Sequence, residues 1–207
     1  MATPLPIRDS SMFKVIAILI IFSAAVLCQA QVLTTAETLG KGKEAITVSA
    51  NQLYDSGVPL NVSYVMYARG LTSSFDLYAA VGWTHIEHQD QAWLGVGENA
   101  KLFSAKKFSV SLFTFASVPL HRTDQASTVF LNAAVVVSRP INSKLSVYSG
   151  VNTFIPIGAR ERGLFTPPDK RINVPLGTSI GLGNWTVATE VDVGKLKAVG
   201  IAVSKTF

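Results

Sequence analysis

The chain has a single cysteine, Cys28, and so no second thiol to bridge. That excludes the disulfide framework on which many small exported domains depend. Charge is scarce too: 15% of the 207 residues are Asp, Glu, Lys or Arg, against 48% hydrophobic. A disordered chain shows the opposite balance. The 15 glycines and 9 prolines are too few for a collagen-like or low-complexity sequence. The formal net charge is +5, but Lys and Arg are scattered and form no basic stripe. No nucleic-acid partner is expected. No hydrophobic run reaches the ~20 residues of a membrane-spanning helix.

One shorter apolar run is present, Val15–Leu27, preceded by Lys14 and followed by Cys28-Gln29-Ala30. A cation, a short apolar core and a small closing residue mark a cleavable secretory leader. Residues 1–30 are read as that signal peptide, cut after Ala30, with Met12 as an alternative start. Cys28 is not expected to carry lipid, because Ala25 stands where lipidation favours Leu.

Beyond Ala30 the recurring signal is alternation with period 2, the mark of a strand with two unlike faces. Val199, Ile201 and Val203 alternate with Ala198, Gly200, Ala202 and Ser204. Trp185, Val187, Val191 and Val193 alternate with Thr186, Ala188, Glu190 and Asp192. Leu145, Val147, Val151 and Ile155 alternate with Ser146, Tyr148, Gly150 and Asn152. Ten strands are predicted, over 43–53, 61–70, 74–84, 91–98, 106–116, 127–138, 143–155, 172–182, 185–193 and 196–207. Eight or twelve strands are the alternatives. Long and short connections roughly alternate, with two exceptions: 194–195 is short among the long ones, and 99–105 is long among the short ones. Glu98 falls on the apolar face of the fourth strand, so that strand either ends before it or bulges at Gly97.

A soluble sandwich would clothe its second face in Lys, Glu, Gln and Arg. Here that face is mostly Gly, Ala, Ser, Thr and Asn, which suits the cramped interior of a narrow closed barrel. The apolar face then meets lipid, and charge is left to loops and strand ends. The final residues carry the same pattern to Phe207, after Val199, Ile201 and Val203. In this the chain resembles bacterial outer-membrane β-barrel proteins as a class, although Lys205 stands where that class usually has an apolar residue. The resemblance implies outer-membrane lipid as a partner and recognition by the barrel-assembly machinery through the strand ending at Phe207. It also implies both termini in the periplasm, with residues 31–42 as a short periplasmic segment and 43–207 as the barrel domain. The oligomeric state is left open.

Several clusters invite a chemical reading. His85, Glu87, His88 and Asp90 share one loop, but no third element at metal-ligand spacing supports them, so a polar exposed loop is expected and no metal or cofactor. His121, Arg122 and Asp124 lie near Ser117 and Ser127, without the glycine elbow that a nucleophilic serine needs. Glu190 and Asp192 point inward without the Asp-x-His partner used by outer-membrane proteases of this size. No enzyme is expected. Two readings remain for Glu190 and Asp192. They pair with Arg160, Arg162, Lys170 and Arg171 of the 156–171 loop and fold it over the barrel mouth, or with Arg160 and Arg162 they form a charged lumen constriction.

Tyr78, Phe130, Tyr148 and Phe154 fall on inward faces. Phe113 and Phe115 join them unless a bulge near Leu112 turns both toward lipid. These rings fill the lumen or line a pocket for an apolar ligand. Trp83, Trp185, Tyr54 and Tyr64 are read as interfacial girdle residues. The expectation is an all-β, antiparallel up-and-down transmembrane barrel without catalytic activity, structural or surface-exposed, with at most a narrow pore. The alternatives are a passive transporter of small or apolar solutes through the lumen, and a soluble secreted β-sandwich that binds ligands.

Overall fold

The computed structural model describes residues 35–207 apart from 56–57, 87–88, 121–128, 158–170 and 195–196. The leader read at residues 1–30 therefore lies outside the described residues. Ten strands follow one another: β1 (Glu44–Asp55), β2 (Val58–Gly70), β3 (Phe75–Ile86), β4 (Gln89–Ala105), β5 (Phe108–Pro119), β6 (Val129–Pro140), β7 (Leu145–Ile157), β8 (Arg171–Leu182), β9 (Trp185–Gly194) and β10 (Lys197–Thr206). Each pairs antiparallel with its neighbours in sequence, and β1 pairs with β10 from Ala45↔Thr206 to Tyr54↔Lys197. The sheet is a closed barrel with no free edge, which excludes the β-sandwich.

The alternation seen in the sequence becomes inside and outside. Val48, Leu94, Val96, Val151 and Val193 point outward and are exposed, while Thr47, Ser49, Ala134, Val136 and Ala188 are buried. An exposed belt of this kind is stable only against lipid. Strands run from 10 residues in β9 to 17 in β4, enough for a tilted crossing, which takes ~9–11. Trp83 and Tyr54 lie outward near the end away from the termini, and Trp185 and Phe207 near the terminal end. Lys205 shares the outward face with Trp185, its ammonium 5.4 Å from the Trp185 ring and 5.0 Å from the Phe207 ring. Its apparent departure from the class pattern is thus a cation held over two aromatic faces at the membrane border.

The fourth strand corrects two sequence readings. It neither ends before Glu98 nor bulges at Gly97: Glu98 sits within the ladder between Leu77 and Thr114. The register slips later, between Lys101 and Phe103, and β4 continues to Ala105. The long connection expected at 99–105 is therefore strand, closed by a turn at Lys106-Lys107. The extra residue of that slip is on β4, opposite Ser111 and Val110, and β5 itself pairs with β6 without a break, so Phe113 and Phe115 keep their phase and face inward.

Candidate functional site

The barrel interior is built unevenly. β1 and β10 meet through small groups, with Thr47 Oγ1 and Ser204 Oγ 2.7 Å apart and Ser49 Oγ donating to Ile201 O at 3.1 Å. Rings crowd the other walls, and glycines decide how they lie. Trp93 of β4 is the cross-strand partner of Gly82, Phe115 of β5 that of Gly97, and Tyr148 of β7 that of Gly177. A Cβ at Gly82 would meet the Trp93 ring and stand 2.8 Å from Ser63 O. Glycine therefore lets the ring lie flat along the wall rather than across the lumen.

The rings form a tilted series. Tyr64 and Trp93 centroids are 6.0 Å apart, and Trp93 meets Phe115 edge-on at 6.1 Å and 83°. Phe113 and Phe115 are parallel at 6.3 Å, and Phe130 and Phe154 stack at 5.2 Å. Between them lies a cavity of about 150 Å³ in the half of the barrel away from the termini. Leu53, Leu60, Val62 and Met66 complete its apolar wall, and Asn51, Thr84, Gln91, Ser117 and Asn132 supply the polar groups. Among the described residues no Asp, Glu, Lys or Arg lines it.

Its two asparagines differ. Asn51 is locked, its Nδ2 donating to Ser49 Oγ at 3.0 Å and Val62 O at 3.3 Å. Asn132 stands between Phe115 on β5 and Phe154 on β7 without such donor bonds among the described residues, and the Oδ1 of both asparagines has no protein partner.

The terminal end of the lumen is filled by chain. Ala36 is fully buried in a cluster with Met66, Tyr78, Phe113 and Tyr148, and Leu39 packs against it. Leu39 N–H donates to Asp76 Oδ2 at 3.0 Å, Asn99 Nδ2 to Glu37 O at 3.4 Å, and Thr38 Oγ1 to Ser73 O at 2.9 Å. Asp76 and Asn99 are themselves fully buried on inward faces. Gly40 and Gly42, with φ of 91° and 79°, turn the segment back into β1, a conformation that favours glycine. The segment passes so close to β2 that a Cβ at Gly70 would meet Gly40 O. Residues 35–40, expected only as a short segment outside the barrel, thus reach into the barrel end.

The residues singled out from the sequence divide. Phe130 and Phe154 line the cavity, while Tyr78 lies deeper, 5.7 Å from the Phe113 ring and with its hydroxyl 3.5 Å from Asp76 Oδ2. Tyr148 is likewise in the deeper cluster. Tyr64 is not a girdle residue but lines the cavity. Glu190 and Asp192 do face inward, 1% and 2% exposed, but on a different wall. Asn152 Nδ2 donates to Asp192 Oδ2 at 3.2 Å, and Asn173 Nδ2 to Asn152 Oδ1 at 3.1 Å. Arg160, Arg162 and Lys170 lie outside the described residues, as do Glu87, His88, His121, Arg122 and Asp124. His85 Nδ1 and Asp90 Oδ1 are 2.7 Å apart, both exposed.

Removing the Asn152 amide tests whether this acidic wall is structural. Asn152→Leu takes a donor from a buried carboxylate and is expected to cost about 1–3 kcal/mol. The readout is a lower temperature for the heat-modifiable gel shift. An unchanged transition would count against it.

The cavity wall leaves one trace in the sequence. On β2 the inward positions Leu60, Val62, Tyr64 and Met66 are more apolar than the outward Asn61 and Ser63. The usual pattern is thus inverted in that half of β2, while Val65 and Tyr67 keep the other half apolar outward.

No protein-family model and no curated protein matches the chain. Among solved structures it is similar to the COG4313 outer membrane channel from Pseudomonas putida F1, at 12% identity and a TM-score of 0.52, over 86% of this chain and 100% of that one. It is also similar to the KdgM porin, at 10% identity and a TM-score of 0.42, over 78% and 99%. A third likeness is to the translocator domain of autotransporter NalP from Neisseria meningitidis, at 12% identity and a TM-score of 0.42, over 81% and 88%. At these identities the likeness is one of fold, that of membrane-spanning barrels.

Proposed function

We propose that this protein is a bacterial outer-membrane barrel, without catalytic activity, that takes small uncharged apolar solutes into its lumen. The observation that carries the reading is the aromatic cavity of about 150 Å³, free of charged side chains among the described residues. A lumen built only to support a wall would close that space, since protein interiors pack to crystal-like density. The terminal end then faces the periplasm and the cavity the exterior, with residues 35–40 across the path between them. Solute binding comes first in this scheme, and passage follows when that segment yields. The strand ending at Phe207 is the proposed signal for the assembly machinery. Glu190 and Asp192 take a wall-building role rather than that of an ion-selecting constriction.

Two measurements test the reading. The protein is expected in the outer-membrane fraction with heat-modifiable migration, and recovery in soluble form without detergent would overturn the membrane assignment. In nanodiscs, with Trp83 and Trp185 replaced by Phe, Trp93 fluorescence is expected to change saturably with toluene. A flat or purely linear response from a folded barrel would sink the solute-binding role.

A further inference from the structure

We infer that the cavity selects a neutral single-ring aromatic molecule carrying one hydrogen-bonding substituent, of the phenol type, with Asn132 as the residue that reads the substituent. The inference rests on the solute-binding role proposed above and narrows it to a ligand class.

Size comes first. An apolar cavity of ~150 Å³ stays dry and accepts a molecule of benzene size. The cavity here has about that volume, 150 Å³, enough to seat one ring.

Ring chemistry comes second. Trp93, Phe113, Phe115, Phe130 and Phe154 present both faces and edges to the space, with Trp93 and Phe115 at 83° and Phe130 and Phe154 nearly parallel. An aromatic guest gains from offset-stacked and edge-to-face contacts at once, beyond what area burial alone provides. A saturated ring of the same volume makes neither.

The polar handle comes third. No charged side chain among the described residues lines the cavity, so a carboxylate or ammonium guest would be desolvated without a counter-charge. Asn132, in contrast, is placed among the rings, with Phe115 and Phe154 as its cross-strand partners and Phe130 two positions before it. Its Oδ1 lacks a protein partner. Asn51 also has an Oδ1 without a protein partner, but its Nδ2 is committed to Ser49 Oγ and Val62 O, so its amide cannot turn and can only accept. A primary amide presents a donor or an acceptor by turning about χ2, so one hydroxyl or amine on the guest satisfies it in either sense.

The test uses full-length barrel in nanodiscs, the Trp93 fluorescence readout, and phenol, toluene, cyclohexanol and benzoate as probes. Phenol is expected to bind at least fivefold tighter than toluene or cyclohexanol, and benzoate not detectably. Asn132→Leu, close in volume, is expected to abolish the preference for phenol over toluene while toluene binding persists. Asn61→Leu, on the outward face of β2, serves as a comparison that leaves the preference in place. Equal binding of phenol and toluene, with no effect of Asn132→Leu, would overturn the inference and leave the apolar-solute reading standing. Equal binding of cyclohexanol and phenol would overturn the aromatic part. Failure of every probe on a folded wild-type barrel would overturn both.

Discussion

Freeing residues 35–40 is expected to turn a nearly closed barrel into a conducting one. Asp76→Ala with Asn99→Ala removes the acceptor of the Leu39 amide and the donor to Glu37 O. Each such bond contributes about 0.5–1.5 kcal/mol, so losing both costs about 2 kcal/mol and multiplies the open population roughly thirtyfold. Gly70→Ala approaches the same end from the other side, because its methyl group would meet Gly40 O and push the segment off β2. Both variants keep the barrel pairings, since Gly70 and Asp76 are cross-strand partners whose backbones are unchanged. In planar bilayers the wild type is expected to show low conductance and the variants a severalfold rise, with faster hydrogen exchange at the Leu39 amide. If exchange quickens and conductance stays flat, the segment is not what closes the lumen.

Filling the space behind Trp93 should do the opposite. In Gly82→Val the new side chain occupies the place of the Trp93 ring, and Ser63 O lies only 2.8 Å from the added Cβ. The backbone of β2 is held by its ladder to β3, so the ring is the part that moves, and it moves into the cavity. Overpacking of this kind costs about 1–3 kcal/mol. Toluene binding is expected to fall at least tenfold and the heat-modifiable transition to drop. Gly181→Ala, whose Cβ comes no closer than 3.7 Å to any atom beyond its chain neighbours, is the matched substitution expected to change neither. Normal toluene affinity in Gly82→Val would mean that the cavity does not depend on the ring lying flat.

How far these features could be read from sequence follows from the forces behind each. All ten strands were legible, because a lipid-facing side must be apolar at every second residue. The end of β4 was not: the slip between Lys101 and Phe103 changes the phase, and Lys106-Lys107 carries no glycine or asparagine to mark a turn. Tyr64 was misplaced for a related reason. Both faces of β2 carry apolar residues, and on such a strand periodicity does not say which side is the lumen. Phe130 and Phe154 were placed inward by parity alone, and parity held.

The sequence by itself determined a closed, lipid-belted sheet, since alternation of apolar and small residues is a local property repeated strand after strand. It also put Glu190 and Asp192 on an inward face. Only tertiary structure decided what the interior does. The cavity exists because rings from β2, β4, β5, β6 and β7 meet across a closed cylinder, two of them, Trp93 and Phe115, lying over glycines of the preceding strand. The closing segment exists because Asp76 and Asn99, far from residues 35–40 in sequence, are brought to the same barrel end. Both depend on contacts between distant strands, which no local pattern encodes.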